Sequence, residues 1–230
     1  MATPAGFWRR YAAWSLDALA PLALSIPLLW STGQRLLAQT DLHLSKLQLR
    51  LFELADAALD HGSDPLQALP GWTHDPTLRA GVADLAAAWG DATLVAVAVL
   101  FALSAAWWIA FEASPWQATP GKRLFGLQVT RHDGGQPGPG RVALRFLAGI
   151  PSWCLLHLGH AMAGWRADQR ALHDLLSGTR VVLAPGEVAA MPPGARRWLW
   201  AQAIALLVAF AAVATAYALM LAEALATGLP

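Results

Sequence analysis

Four stretches of this chain carry no formally charged residue: 18–34, 92–111, 146–165 and 198–222. Crossing the hydrocarbon core of a bilayer as a helix takes about 20 mostly apolar residues, within a range of about 17–25. All four gaps fit that length. Charged residues make up only 13% of the chain, against about 25% in ordinary soluble domains, too little to solvate a globular surface. The pattern predicts an all-α membrane protein. Pro21 and Pro27 interrupt the first gap, Trp8, Tyr11 and Trp14 precede it, and it contains no small-x-small cleavage site at a sensible position. A retained helix, rather than a removed signal peptide, is therefore expected.

The sixteen basic and fifteen acidic residues nearly cancel, so there is no global attraction for a polyanion, and nucleic acid is not an expected partner. A single cysteine, Cys154, excludes an internal disulfide framework and multi-cysteine zinc patterns. The simplest reading makes it a small buried apolar residue.

Charge between the gaps sets an expected topology. The first helix should begin near Phe7 and run to about Trp30, with Arg9 and Arg10 outside the hydrocarbon. Residues 31–91 hold four basic residues against eight acidic ones. Leu44, Leu47, Leu51, Leu54, Ala55 and Ala58 recur there at helical spacing, while the alternation Leu47, Leu49, Leu51 leaves a strand open. Asp75 followed by Pro76 predicts a helix start that continues into the second span. Residues 114–145 hold five basic residues and one acidic residue, which by the positive-inside rule makes this loop and the N-terminus cytoplasmic. Residues 166–197 also hold five basic residues. A true crossing by 146–165, which contains Pro151, Ser152, His157 and His160, would place them outside, against that rule. The reading is thus three clear spans plus a re-entrant or interfacial segment, a fourth span being the alternative. The last span puts the C-terminus outside. Residues 124–131 and 179–183 read as strands that pair into a small cytoplasmic β-ribbon. The glycine- and proline-rich run 133–140 between them reads as turns, since no Gly-x-x-x-x-Gly-Lys-Ser/Thr pattern is present.

Asp17 is the most informative single residue, because an ionisable group inside an apolar helix usually faces a bundle interior or a water cavity and often marks a path for ions. A purely structural role, accepting hydrogen bonds from a neighbouring segment, stands beside that reading. Arg10 lies too far along the helix for an ordinary ion pair with Asp17, so it either snorkels to headgroups or meets a carboxylate from another segment. Glu112 closes the second span and matters if it turns toward Asp17. His157 and His160, three residues apart, could relay protons or contribute to a metal site. The pair His173-Asp174 could ligate a metal, though a helix ending at Gly178 is simpler.

Three motifs resemble a known family. Gly6-Phe7-Trp8-Arg9-Arg10 with Asp17, then Thr119-Pro120-Gly121-Lys122-Arg123-Leu124-Phe125-Gly126-Leu127-Gln128-Val129, then Arg170-Ala171-Leu172-His173-Asp174-Leu175-Leu176-Ser177-Gly178-Thr179-Arg180-Val181-Val182, are similar in order and spacing to the RDD family of prokaryotic membrane proteins. The resemblance covers residues 6–183. It leaves 32–91 as an external helical insert, 184–197 as a linker and 198–224 as an additional helix. The arginine and two aspartates that name the family fall on Arg10, Asp17 and Asp174, with Arg9 a competitor for the arginine.

The resemblance implies a multi-pass protein of the bacterial inner membrane with no cofactor and no resident metal. It also implies a non-enzymatic role, with transport the usual suggestion and cation/proton antiport described for some members. The expected functional residues are Arg10, Asp17, Asp174, Glu112, His173 and Lys122. The expected partners are the bilayer, monovalent cations and protons, together with further copies of the chain or a partner membrane protein. The alternative is a non-catalytic membrane scaffold or accessory subunit.

Overall fold

The protein is described by a computed structural model covering residues 3–227. Helix α1 (Phe7–Asp17) and helix α2 (Leu19–Asp60) are separated only by Ala18. Next come α3 (Pro65–Trp72), α4 (Pro76–Ala113) and the single-turn α5 (Pro120–Leu124). Strand β1 (Leu127–Arg131) precedes three short helices, α6 (Pro139–Leu147), α7 (Ile150–Cys154) and α8 (Leu158–Ala161). Helix α9 (Leu172–Ser177), strand β2 (Thr179–Leu183) and the long helix α10 (Pro193–Thr227) complete the chain. Three helices are long and apolar enough to cross a bilayer: Phe7–Asp60, Pro76–Ala113 and Pro193–Ala226.

Several sequence expectations are corrected here. The first helix does not stop near Trp30, because nothing between Trp30 and Asp60 breaks it and partly buried positions continue at intervals of three and four residues through Leu36, Thr40, His43, Leu47, Arg50 and Leu54. That same spacing, the mark of a helix seam, overturns the strand alternative at 47–51. The strand expected over 124–131 begins only at Leu127, because Pro120 opens a helical turn that takes in Leu124. α10 begins at Pro193, inside the stretch read as linker. The helix start at Pro76 is as expected, with Asp75 Oδ1 accepting the Leu78 amide at 2.9 Å.

The chain divides into two compact units, residues 20–104 and the remainder. Within residues 20–104, α2 and α4 touch along their seams. Trp89 Nε1 donates to Thr40 Oγ1 at 3.2 Å, and Arg50 pairs with Asp75 at 2.8 Å. A Cβ on Gly81 would sit 2.8 Å from a δ-methyl of Leu47, so the two helices approach closely at this point.

The other unit is organised by the sheet. β1 and β2 pair antiparallel along their whole length, from Leu127 opposite Leu183 to Arg131 opposite Thr179. The Ala5 amide donates to Val181 O, and Thr3 O accepts from the Leu183 amide. Ala12, Ala13, Phe125, Leu127, Val129, Val181, Leu183 and Ala195 form the apolar core around this ribbon. Because β1 and β2 are zipped together, residues 132–178 leave from and return to one place. Any membrane that the chain crosses therefore has both ends of this segment, and the N-terminal residues bonded to β2, on the same side. A single crossing by 146–165 is incompatible with that pairing. The segment instead breaks: 139–154 and 158–164 are bent by 113° about residues 155–157, with Leu156 and His157 in the left-handed region at φ 49° and 64°. Leu156 at the bend is 88% exposed. Cys154, read from sequence as buried, is exposed beside the bend, because the helix that would have covered it stops at that residue.

Candidate functional site

α1, the last turn of α4, α5, α6 and α9 converge on a row of alternating charges. Arg10 Nη2 donates to Asp174 Oδ2 at 2.6 Å. Asp174 Oδ1 accepts from Arg145 Nη1. Arg145 Nε donates to Glu112 Oε2 at 3.1 Å, and Lys122 Nζ to Glu112 Oε1 at 2.5 Å. This ladder, Arg10–Asp174–Arg145–Glu112–Lys122, is almost wholly buried, with Asp174 at 0% and Glu112 at 2% exposure. Taking charges out of water costs several kcal/mol per ion and is offset only where geometry and extra hydrogen bonds are good. Such bonds are present. Arg10 also donates to Gln169 O at 2.7 Å, Arg145 to Thr179 Oγ1 at 2.9 Å, and the Ala171 amide to Asp174 Oδ2 at 2.9 Å. Ser177 Oγ extends the set, 2.8 Å from Thr179 Oγ1 and donating to His173 O at 2.6 Å.

The local sequence explains the placement. Asp174 sits in the first turn of α9, where a carboxylate suits the orphan amides and positive end of a helix. Gly178, with φ 63°, ends that helix and turns the chain into β2 within one residue, which brings Thr179 to Arg145. Burial alone would raise the pKa of Asp174, but the guanidiniums of Arg10 and Arg145 outweigh it and hold the group well below the usual carboxylate range. His173 Nε2 lies 3.3 Å from Asp174 Oδ1. Burial and the Arg145 charge keep that imidazole well below its ordinary range, so the contact is one of a neutral ring with a carboxylate rather than an ion pair.

Asp17 occupies a separate position. Its carboxylate accepts from Thr119 Oγ1 and from the Gly121 amide at 2.7 Å, binding α1 to the start of α5. A Cβ on Gly121 would stand 2.6 Å from Ala13 O and 2.9 Å from the Asp17 carboxylate. The glycine is therefore what lets the two segments approach. Asp17 bonds to neither Arg10 nor Glu112; Arg10 reaches Asp174, and Glu112 turns to Lys122 and Arg145. Arg9 is fixed elsewhere, donating to Phe125 O at 2.6 Å and Val188 O at 2.7 Å and pairing with Glu187 at 2.6 Å.

Of the residues singled out from sequence, Arg10, Asp174, Glu112, Lys122 and His173 thus meet in one cluster, and Asp17 stands beside it. Arg145, the residue that joins both carboxylates, was not singled out. Its one signal was position: it is the last charge before the gap 146–165. His157 and His160 do not share a helix face, since His157 precedes α8 in a left-handed conformation. Their rings are 5.3 Å apart, and His160 lies 4.7 Å from His173. Among the described residues, no three side chains of His, Cys, Asp or Glu are placed to hold a metal ion.

Long apolar helices, a small two-stranded sheet and a buried ladder of charges define a helical membrane-type protein. The model of the RDD family matches residues 4–178. This chain belongs to the RDD family. A Bacillus subtilis (strain 168) protein described as "Uncharacterized protein YxaI" is 30% identical over 91 residues, which is 40% of this chain and 60% of that relative. No solved structure matches the chain.

Proposed function

We propose that the protein is a small transporter of the bacterial cytoplasmic membrane, with its N-terminus and sheet on the basic, cytoplasmic side, and that it exchanges a monovalent cation for protons. The observation that carries this reading is the buried ladder. Two carboxylates at the end of an apolar helix bundle are each held by cationic side chains: Glu112 by Lys122 and Arg145, Asp174 by Arg10 and Arg145. An ammonium on Glu112 occupies the position that an incoming cation or proton would take, so exchange amounts to displacing one resident counter-ion. Ionisable groups buried in membrane proteins are expensive and commonly mark such paths. Asp17, already bound by a hydroxyl and an amide, suits the role of fixing α5 and with it Lys122. Enclosing a path with three spans requires further copies of the chain.

The test is cation-dependent proton flux in proteoliposomes, comparing the wild type with Glu112→Gln and Asp17→Asn. Flux that is lost in Glu112→Gln at equal incorporation supports the reading. Absence of wild-type flux with every common monovalent cation overturns it in favour of a membrane scaffold. That second reading draws on residues 20–104, where Leu37, Leu42, Leu49, Phe52 and Leu59 are all exposed.

A further inference from the structure

We propose that His157, His160 and His173 form a proton file that delivers protons from the surface at His157 to Asp174 in the buried ladder. The file is a claim about proton access; its use in transport rests on the exchange reading above. Three observations carry it. The rings follow one another at 5.3 and 4.7 Å between centroids, and the last reaches Asp174 Oδ1 at 3.3 Å. His157 is exposed, His160 half-buried and His173 buried, so the file runs from the protein surface inward. Nδ1 of both His160 and His173 is buried with no hydrogen-bond partner.

That last point separates a relay from a scaffold. A histidine kept only for packing normally anchors its ring through a hydrogen bond, because an unmade bond on a buried polar atom is costly. Here two neighbouring rings each leave a nitrogen idle. A neutral imidazole has one protonated and one bare nitrogen, so it can accept a proton at one and release it from the other. The rings stand in line rather than around a point, which suits proton passage and does not suit a metal. His157 is held in place by its left-handed backbone and by an edge contact with Trp14 at 5.7 Å. The charged groups facing the file are Arg10 from α1, Arg145 from α6 and Asp174 from α9. The two guanidiniums disfavour a charge at rest on the rings, so protons pass through rather than accumulate.

The step balances simply. A proton from water forms an N–H bond on His157, and each later transfer breaks one N–H bond and forms the next. The proton ends on Asp174 as an O–H bond, which removes the charge that Arg10 and Arg145 were holding. One proton enters, one arrives, and nothing else is consumed.

The test uses the full chain in phosphatidylcholine–phosphatidylglycerol vesicles, dropped rapidly from neutral to acidic pH while the C=O band of protonated carboxyl groups is followed by time-resolved infrared spectroscopy. Exposed carboxylates protonate within the mixing time, and the ladder gives a later phase. His160→Phe is expected to slow that phase about tenfold or more, a modest share of what a positioned acid–base side chain contributes. Its amplitude should be unchanged, and imidazole added to the buffer should restore the rate. His157→Asn, which tolerates the left-handed backbone, is expected to slow it in the same direction. Unchanged rates in both variants, a slowing that imidazole does not rescue, or a wild type with no later phase would each overturn the file. Histidine-dependent protonation without cation-coupled flux would leave the file standing and sink the exchange reading. Flux with unaltered protonation rates would do the reverse.

Discussion

The two units hold themselves together by opposite means. The unit with the sheet buries Arg9, Asp17, Glu112, Lys122, Arg145, His173 and Asp174 as well as its apolar core. Residues 20–104 bury almost nothing: α3 has no buried residue, and α2 has only Pro21 and Ser25. Its two long helices meet at Thr40 with Trp89 and Leu47 with Gly81, and turn large leucines outward. One unit therefore carries its specificity internally, in buried charges that pair with one another. The other leaves its apolar surface to whatever surrounds it, and lipid or a neighbouring chain must supply what a core supplies elsewhere.

If this contrast is right, truncation should be severe in the first unit and mild in the second. Arg145→Ala strips a partner from both ladder carboxylates and leaves buried charge unpaired, a loss expected to cost about 3–5 kcal/mol. Thermal unfolding in detergent should show it as a large fall in midpoint or as failure to accumulate folded protein. Gly121→Ala forces a methyl group against Ala13 O and the Asp17 carboxylate, and about 1–3 kcal/mol is expected, read in the same assay. A change of Leu49→Ser on the outward face of α2 should stay within about 0.5 kcal/mol, and a loss as large as that of Arg145→Ala would break the comparison.

Acid should sharpen it further. His173 has a folded pKa below its unfolded value of about 6.5, so its contribution is full above that pH and is lost as pH falls through the folded value. Asp174, also depressed, contributes fully above its unfolded value of about 3.9 and is lost only in stronger acid. The unfolding midpoint should accordingly begin to drop below about pH 6.5 and fall again below about pH 4. His173→Phe is expected to shrink the first drop, to which the half-buried His160 also contributes, and to keep the second.

Much of this was legible in the amino-acid order. Charge-free gaps locate the long helices because lipid demands them, and Asp75-Pro76 marks a helix start because capping is local chemistry. β2 was legible to the residue, since Gly178 ends the helix before it. The positive-inside argument against a crossing by 146–165 reached the same result as the sheet, by an independent route. What stayed hidden depends on long-range closure. Arg145 looks like any basic residue beside an apolar run until β2 brings Thr179 and α9 brings Asp174 to it. Leu44, Leu47 and Leu51 read as a surface helix, but nothing in their spacing says that the helix has come unbroken from Leu19. Cys154 was misplaced because residue type alone made it buried, whereas the backbone reversal at Leu156 and His157 leaves it exposed.

The pairing of β1 with β2 also has a consequence for how the protein is made. Leu127 leaves the ribosome well before its partner Leu183, and at about 5–20 residues per second the interval lasts several seconds. At its start Glu112 and Lys122 already exist, while Arg145 and then Asp174 have yet to appear. Even the first residues wait, since Ala5 bonds to Val181. The nascent chain therefore passes through a period in which its ladder is incomplete, Glu112 and Lys122 waiting for Arg145 and Asp174, and the ladder closes only when the segment ending at β2 has been made. A chain stopped short of residue 179 would carry the helices of the family but never close, and membrane proteases would have a clear mark by which to know it.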